Sequence, residues 1–419
     1  MDETTAKRVK AFEDWCQAVK LHVASKVAIT NEGSCAQIGL VARAKIRKGE
    51  RLLSIPRAAT LSLASSRAEN IVQKLVVDGL VPSTNVAEPL EPDSNAWLPL
   101  LIVLMHEYAD PDSFWRPYFD VCADAATIDS PTRWPRDEVV ALLGGTRLVA
   151  RRDRRLAQIR ADYANIVRPF VERHDALFRD KSLEMYEKMV AFVSAYSFTN
   201  DSIRNPYVAV AMVPGADILN HQSRNNARIV HRADRLDVVA CRSIRAGEEI
   251  FNTYGSLGND ELLLGYGFAE RCPNPNDTIS INVGIVRNVA RERGDGGLDD
   301  RFVSICELLN IDVDEDAFDV NARGQCDEAL VSLAYLLGLS AAEFAEWESD
   351  DGIDYSSASC KAFARDVASK RLAEFDDDLD ADLERFGRDA SLGSRARYAL
   401  YVRLGQKQAL HTLLKSLNK

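Results

Sequence analysis

No C-x-x-C pair and no cluster of Cys and His at zinc-ligating spacing occurs in the chain. Its eight cysteines, at 16, 35, 122, 241, 272, 306, 326 and 360, therefore read as reduced thiols that mostly fill core positions, and no metal site is expected. Long apolar runs are missing too: the longest, Trp97 to Met105, falls far short of the roughly 20 residues that a membrane-spanning helix needs. The opening "MDETTAKRVKAFEDW" lacks the basic end and apolar core of a secretory signal, and it carries the acids that transit peptides avoid. Positive charge is in deficit, 52 basic against 63 acidic residues for a net charge of −11, which argues against a binder of nucleic-acid phosphates. No G-x-G-x-x-G supports a dinucleotide site, and no G-x-S-x-G supplies a hydrolase nucleophile elbow. These absences leave an intracellular protein, cytoplasmic or nuclear, expected to be a monomer with no membrane or nucleic-acid partner.

What is present is ordinary for a globular protein: 419 residues, 46% hydrophobic and 27% charged, enough for two or three packed units. Residues 3 to 25 fit an amphipathic helix with Val9, Phe12, Trp15, Cys16, Val19 and Val23 on one side. Short β-rich pieces follow, "KVAIT", "CAQIGLVARAKI", "RLLSIP" and "ATLSL", punctuated by Gly33, Gly39, Gly49 and Pro56. From about 64 to 200 the pattern is helical. The basic run Arg147 to Arg160 in that stretch reads as the solvated face of a long helix. A second β-rich block, "YVAVAMVP", "ARIVHR", "LDVVACRSI" and "EEIFNTYG", precedes a strand-like "TISINVGIV" and a helical final third. Neither β block is large enough to bury a core alone, so one β domain assembled from both, with a helical insertion, is the simplest organisation.

Three stretches could carry chemistry. In "AQIGLVARAKIRKGERLLSIP", Gly39 either lets the backbone approach something closely or relieves strand twist. In "PGADILNHQS", Asn220 and His221 end an apolar run after a Pro-Gly turn; read locally, they are a turn cap and a satisfied core histidine. In "FNTYGSLGNDELLLGYGF", Tyr254 and Tyr266 stand beside glycines near Phe268, which by itself is also the edge of an aromatic core.

Taken in order, "IGLVA…IRKGE…IP", "ADILNH", "IRAGEEIF" before "NTYG", and "NDELLLGYGF" resemble the SET-domain methyltransferases. The helical insert and helical C-terminal third are most similar to the branch containing the Rubisco large-subunit methyltransferase. The resemblance implies an α+β fold: a SET β domain of small sheets with a knot-like crossing, a helical insertion, and an all-α C-terminal substrate-binding domain. The corresponding boundaries are 1–26 for an N-terminal helix, 27–63 and 206–276 for the two SET parts, 64–205 for the insertion and 277–419 for the C-terminal domain.

It further implies methyl transfer from S-adenosyl-L-methionine to a lysine of a non-histone protein through a narrow channel, the acidic chain suiting a basic substrate segment. By similarity, the backbone of Ala36, Gln37 and Ile38 cradles the methionine part of the cofactor, and Asn220 and His221 hold its amine and adenine ends. Tyr254 matches the catalytic tyrosine, while Asp217, Tyr266 and Phe268 match substrate-side positions. The chain departs from the family pattern in two places. "SAYSFTNDSIRNP" puts Asn200, with Arg204 nearby, where many relatives have an arginine, and "CAQIGL" replaces an E-G-x-G-L type, losing a carboxylate. Two other readings stay open: a histidine methyltransferase of the same fold, against which the small Ala216 argues, and a silent SET-like scaffold.

Overall fold

The first helix starts at Asp2, whose side chain accepts the Thr5 N–H at 2.9 Å, and Glu3–Ala18 turns Val9, Phe12, Trp15 and Cys16 inward. It is shorter than its apolar pattern suggests. Lys20 takes a φ of 60°, the Leu21 N–H bonds back to the Cys16 carbonyl at 2.8 Å, and the chain passes into a strand at His22.

The computed structural model describes every residue except 34, 36–37, 64–67, 82–95, 123–126, 200–205, 294–297, 314–316, 348–351, 355 and 419. It divides into two units, Met1–Ser130 with Arg154–Ser256, and Pro131–Asp153 with Leu257–Lys419. Among the described residues the strands are β1 (His22–Val23), β2 (Val27–Thr30), β3 (Gly39–Ala42), β4 (Arg51–Pro56), β5 (Ser197–Thr199), β6 (Val210–Met212), β7 (Ala227–His231), β8 (Arg235–Ala240), β9 (Glu249–Ile250), β10 (Thr278–Asn282) and β11 (Ala317–Asn321).

In the first unit, strands from both β-rich blocks share sheets. One sheet runs β1-β4-β8-β7 and another β2-β3-β9, all antiparallel. Ile29, Leu40 and Ile250 sit directly opposite one another across the second sheet, and each is buried. Such a cross-strand row fixes register, because a slip by one residue would turn all three outward. The same I-R-x-G-E turn occurs twice, at Ile46–Glu50 and Ile244–Glu248, and the two isoleucines pair with each other. In each turn the acid accepts the arginine N–H, at 2.9 and 3.0 Å, and glycine supplies the positive φ, 86° at Gly49 and 81° at Gly247. The second turn delivers the chain into β9 and on to Tyr254.

The second unit is helical with one addition to the all-α expectation. β10 pairs with β11 over five residues, and its alternating Ile279 and Ile281 are both buried. The apolar run "TISINVGIV" thus splits in two: at Asn282 the side chain accepts the Gly284 N–H at 2.8 Å and a helix begins, Val283–Glu292. Three acids of the run Glu374–Glu384 are paired within the unit. Asp382 is fully buried against Lys407 at 2.7 Å and Arg403 at 2.9 Å, Asp377 meets Arg385 at 2.5 Å, and Glu374 meets Arg371 at 2.9 Å. The arginines at the start of the basic run are likewise engaged rather than solvated: Arg147 and Arg151 both clasp the buried Asp260, at 2.8 and 3.1 Å. Among the described residues no helix is long and apolar enough to cross a membrane.

One carboxyl in this unit is placed against its own ionisation. Asp277 caps Asn259 through Oδ1 at 2.8 Å, but its Oδ2 is buried with no hydrogen-bond partner among the described residues, against Gly405, where a Cβ would overlap it. Burial pushes this carboxyl up from 3.8 to about 7. Because the folded chain holds the proton that the unfolded chain releases, the stabilisation is complete below about pH 4 and is lost as pH rises through 7. Asp277→Asn is therefore expected to unfold at a higher temperature than wild type at pH 8 to 9, by up to roughly 4 kcal/mol in stability, with the two converging near pH 4. Thermal unfolding followed by circular dichroism across that range checks it, and a variant less stable than wild type at pH 9 would contradict the assignment.

Candidate active site

The site grows from two chain segments that lie side by side. After β6 the chain turns at Gly215, with φ 90°, buries Ile218 and Leu219, and emerges at a half-buried Asn220. Just past β9, Asn252 runs parallel to this segment: its N–H donates to the Asn220 carbonyl at 3.0 Å, and its own carbonyl accepts the Gln222 N–H at 3.0 Å. The glycine and the buried leucine and isoleucine anchor one segment, and the β3-β9 pairing anchors the other.

This pairing sets Tyr254 beside His221. The Tyr254 N–H donates to His221 Nδ1 at 3.0 Å, the two rings lie 5.1 Å apart, and the Tyr254 hydroxyl donates to the Leu219 carbonyl at 3.0 Å. Two consequences follow. With Nδ1 accepting, the neutral imidazole carries its proton on Nε2 and presents a donor there. With its proton engaged by a main-chain carbonyl, the phenol oxygen is left with fixed acceptor lone pairs.

A second convergence surrounds Gly39, at the start of β3. A Cβ built there would stand 2.7 Å from Cys35 Sγ, 3.0 Å from Asn220 Nδ2 and 3.2 Å from Glu249 Oε1. Glycine is required because three side chains close over its α-carbon. Asn220 Nδ2 donates to Glu249 Oε1 at 2.7 Å, and Glu249 is 3% exposed. Burial and the neighbouring Glu249 push the Cys35 thiol up to about 12, so it stays protonated. Sequence reasoning passed over Glu249. Nothing in "AGEEIF" marks it, because the burial of both β9 positions comes only with the fold.

Asn220, His221 and Tyr254 are thus brought together, with Ile38 half-buried and packed against the first unit's core beside Gly39. Ala36, Gln37, Asn200 and Arg204 lie outside the described residues. Asp217 is buried in the core. It is 4% exposed, accepts the Tyr118 hydroxyl at 2.6 Å and the Gly215 N–H at 3.2 Å, and burial pushes its carboxyl up to about 8. Ala216 is 1% exposed in the same core, so its small side chain opens no space at the surface of the site. Tyr266 and Phe268 belong to the second unit, at the end of the helix Asn259–Tyr266, which Gly267 closes at φ 79°; their rings meet edge to face at 6.3 Å. Among the described residues no group of three or more His, Cys, Asp or Glu could hold a metal ion.

The SET domain model matches residues 37–255, and the Rubisco LSMT substrate-binding model matches residues 301–410. N-lysine methyltransferase SETD6 of Mus musculus is 33% identical over 448 residues, covering 99% of this chain and 92% of the mouse protein. The Bos taurus SETD6 is 34% identical over 438 residues, covering 97% and 94%. Among solved structures, Rubisco LSMT bound to AdoMet superposes with a TM-score of 0.71 at 20% identity, over 98% of this chain and 91% of that one. With the Asn220–His221 and Asn252–Tyr254 segments at its centre, the chain belongs to the SET-domain family, in the branch that joins the SET domain to a Rubisco LSMT-type substrate-binding domain.

Proposed function

We propose that this SET-domain enzyme, using S-adenosyl-L-methionine, methylates a lysine ε-amine of a non-histone protein, the amine reaching the donor through a narrow channel. The observation that supports this reading most is the double anchoring of Tyr254, through its N–H to His221 and through its hydroxyl to Leu219. The residues present fit the cofactor. Gly39 lets Asn220 close in over its α-carbon, Asn220 offers its amide oxygen and His221 an imidazole donor, and Ala36, Gln37 and Ile38 would contribute backbone for the methionine part. When bound, the cofactor supplies an electrophilic methyl on a sulfonium, which the amine takes as S-adenosyl-L-homocysteine leaves.

The chain's own task is to present a neutral, aligned amine. Lysine titrates near 10.4 in water, so a site that excludes water must disfavour its charged form. The Tyr254 oxygen, fixed as an acceptor, then takes an N–H of the amine and aligns the nitrogen lone pair for attack. A phenol titrating near 10 is a poor base at neutral pH, so this role is positional. Tyr266 and Phe268 keep the substrate-side role that the SET pattern gives them. Asp217 does not, because its carboxyl is consumed by Tyr118 in the core. The lysine acceptor is supported by the SETD6 relatives rather than by Ala216, which is closed off.

Tyr254→Phe is expected to lower methyl transfer by about 100-fold or more while leaving cofactor affinity within about twofold. Radiolabel transfer and calorimetry check the two halves, and unchanged turnover would remove Tyr254 from the mechanism. Asn220→Ala is expected to weaken S-adenosyl-L-methionine binding by about tenfold, since it strips a hydrogen-bonding group from a half-buried contact. Incubating the enzyme and labelled cofactor with lysate from cells lacking the protein, then mapping the labelled residue by mass spectrometry, tests the acceptor; label on histidine would overturn lysine.

A further inference from the structure

The family pattern places a carboxylate in the loop before β3, where this chain has "CAQIGL". A carboxylate from another strand, Glu249, stands over Gly39. Glu249 on β9 reaches the α-carbon of Gly39, and its Oε1 accepts the Asn220 amide. Val41 pairs directly with Glu249 across the sheet, so β3 itself sets the position from which the carboxylate reaches Gly39.

We propose that Glu249 is a positioning residue of the cofactor site, holding the Asn220 amide with its nitrogen turned inward so that its oxygen faces the cofactor's α-ammonium. The inference rests on the reading of Asn220 as the cofactor's amine-end contact. An Asn side chain has one accepting and one donating end, and nothing in its shape decides between them. Glu249 decides, because a carboxylate accepts and does not donate, so Nδ2 must be the end turned toward it. The oxygen is then aimed the other way, as an acceptor suited to an ammonium. The same carboxylate adds negative charge, through the amide, to the place where the cofactor carries its positive α-amine. Cys35 lies beside the pair, its protonated thiol also meeting Glu249. The adjoining Gly39 is what lets all three side chains approach at once.

The test is calorimetric binding of S-adenosyl-L-homocysteine, and of its analogue lacking the α-amino group, to the full chain as wild type and as Glu249→Gln. Glutamine keeps the shape of the side chain but can turn either end to Asn220. Wild type is expected to prefer the natural ligand; the variant is expected to lose about tenfold or more in affinity for it and less than about twofold for the desamino analogue. In turnover the KM for S-adenosyl-L-methionine should rise while kcat at saturating cofactor holds within about twofold. An equal loss for both ligands would mark a merely structural role and overturn the proposal, as would equal affinity of variant and wild type. Failure of wild type to bind either ligand would instead overturn the reading of Asn220 on which the proposal rests. Should Glu249→Gln not fold, Glu249→Asp withdraws the carboxylate by one methylene, and the same dependence on the α-amino group is expected of it.

Discussion

Two main-chain hydrogen bonds, from Asn252 N–H to the Asn220 carbonyl and from Gln222 N–H to the Asn252 carbonyl, tie together segments that are thirty residues apart in sequence. The rest of the site depends on this short parallel pairing. It sets the Tyr254 N–H on His221 Nδ1 and the Tyr254 hydroxyl on the Leu219 carbonyl, so the tautomer of the histidine and the acceptor face of the tyrosine follow from backbone geometry. Side-chain rotamers alone could not hold both. Each segment is in turn clamped from behind, one by the buried Ile218 and Leu219 and the other by the Ile29, Leu40 and Ile250 row.

Buried carboxyl groups divide into two kinds, and the difference tracks what they contact. Asp382 meets Lys407 and Arg403 and is held below the ordinary range: burial raises it, and the two cations and their hydrogen bonds more than offset that. Asp217 and Asp277 accept from neutral donors instead, and burial pushes them up to about 8 and about 7. Neutral acids of this sort are compatible with a packed core but make folding less favourable as pH rises. Glu249 gives its oxygen to the Asn220 amide, beside the Cys35 thiol at Gly39.

Much of this was legible in the sequence because it was encoded in local patterns. The I-R-x-G-E turns, the Pro-Gly before "ADILNH" and the glycines flanking Tyr254 and Tyr266 each carry a backbone requirement that few residues satisfy. Asn220, His221 and Tyr254 were legible as a set only through their order and the resemblance it supports. What was not legible depends on contacts across the fold. Asp217 reads like a site residue beside Asn220, yet the Tyr118 hydroxyl ninety-nine positions away draws it into the core. Glu249 is one of two adjacent acids in "IRAGEEIF" with nothing local to single it out, yet the β3 pairing buries it. Helix ends were missed for the same reason: the pattern through Val23 continues helically, and only the sheet partner at Ser54 and Leu53 explains why His22 and Val23 are a strand.

The most direct test of the central claim is the crystal structure of the full chain with S-adenosyl-L-homocysteine. The claim is that the paired Asn220–Gln222 and Asn252–Tyr254 segments form the cofactor site. The ligand is expected with its α-amine against the Asn220 amide oxygen, its methionine part along residues 36–38, and its sulfur facing the Tyr254 hydroxyl. A ligand bound elsewhere on the chain, or one that leaves Asn220, His221 and Tyr254 untouched, would contradict it.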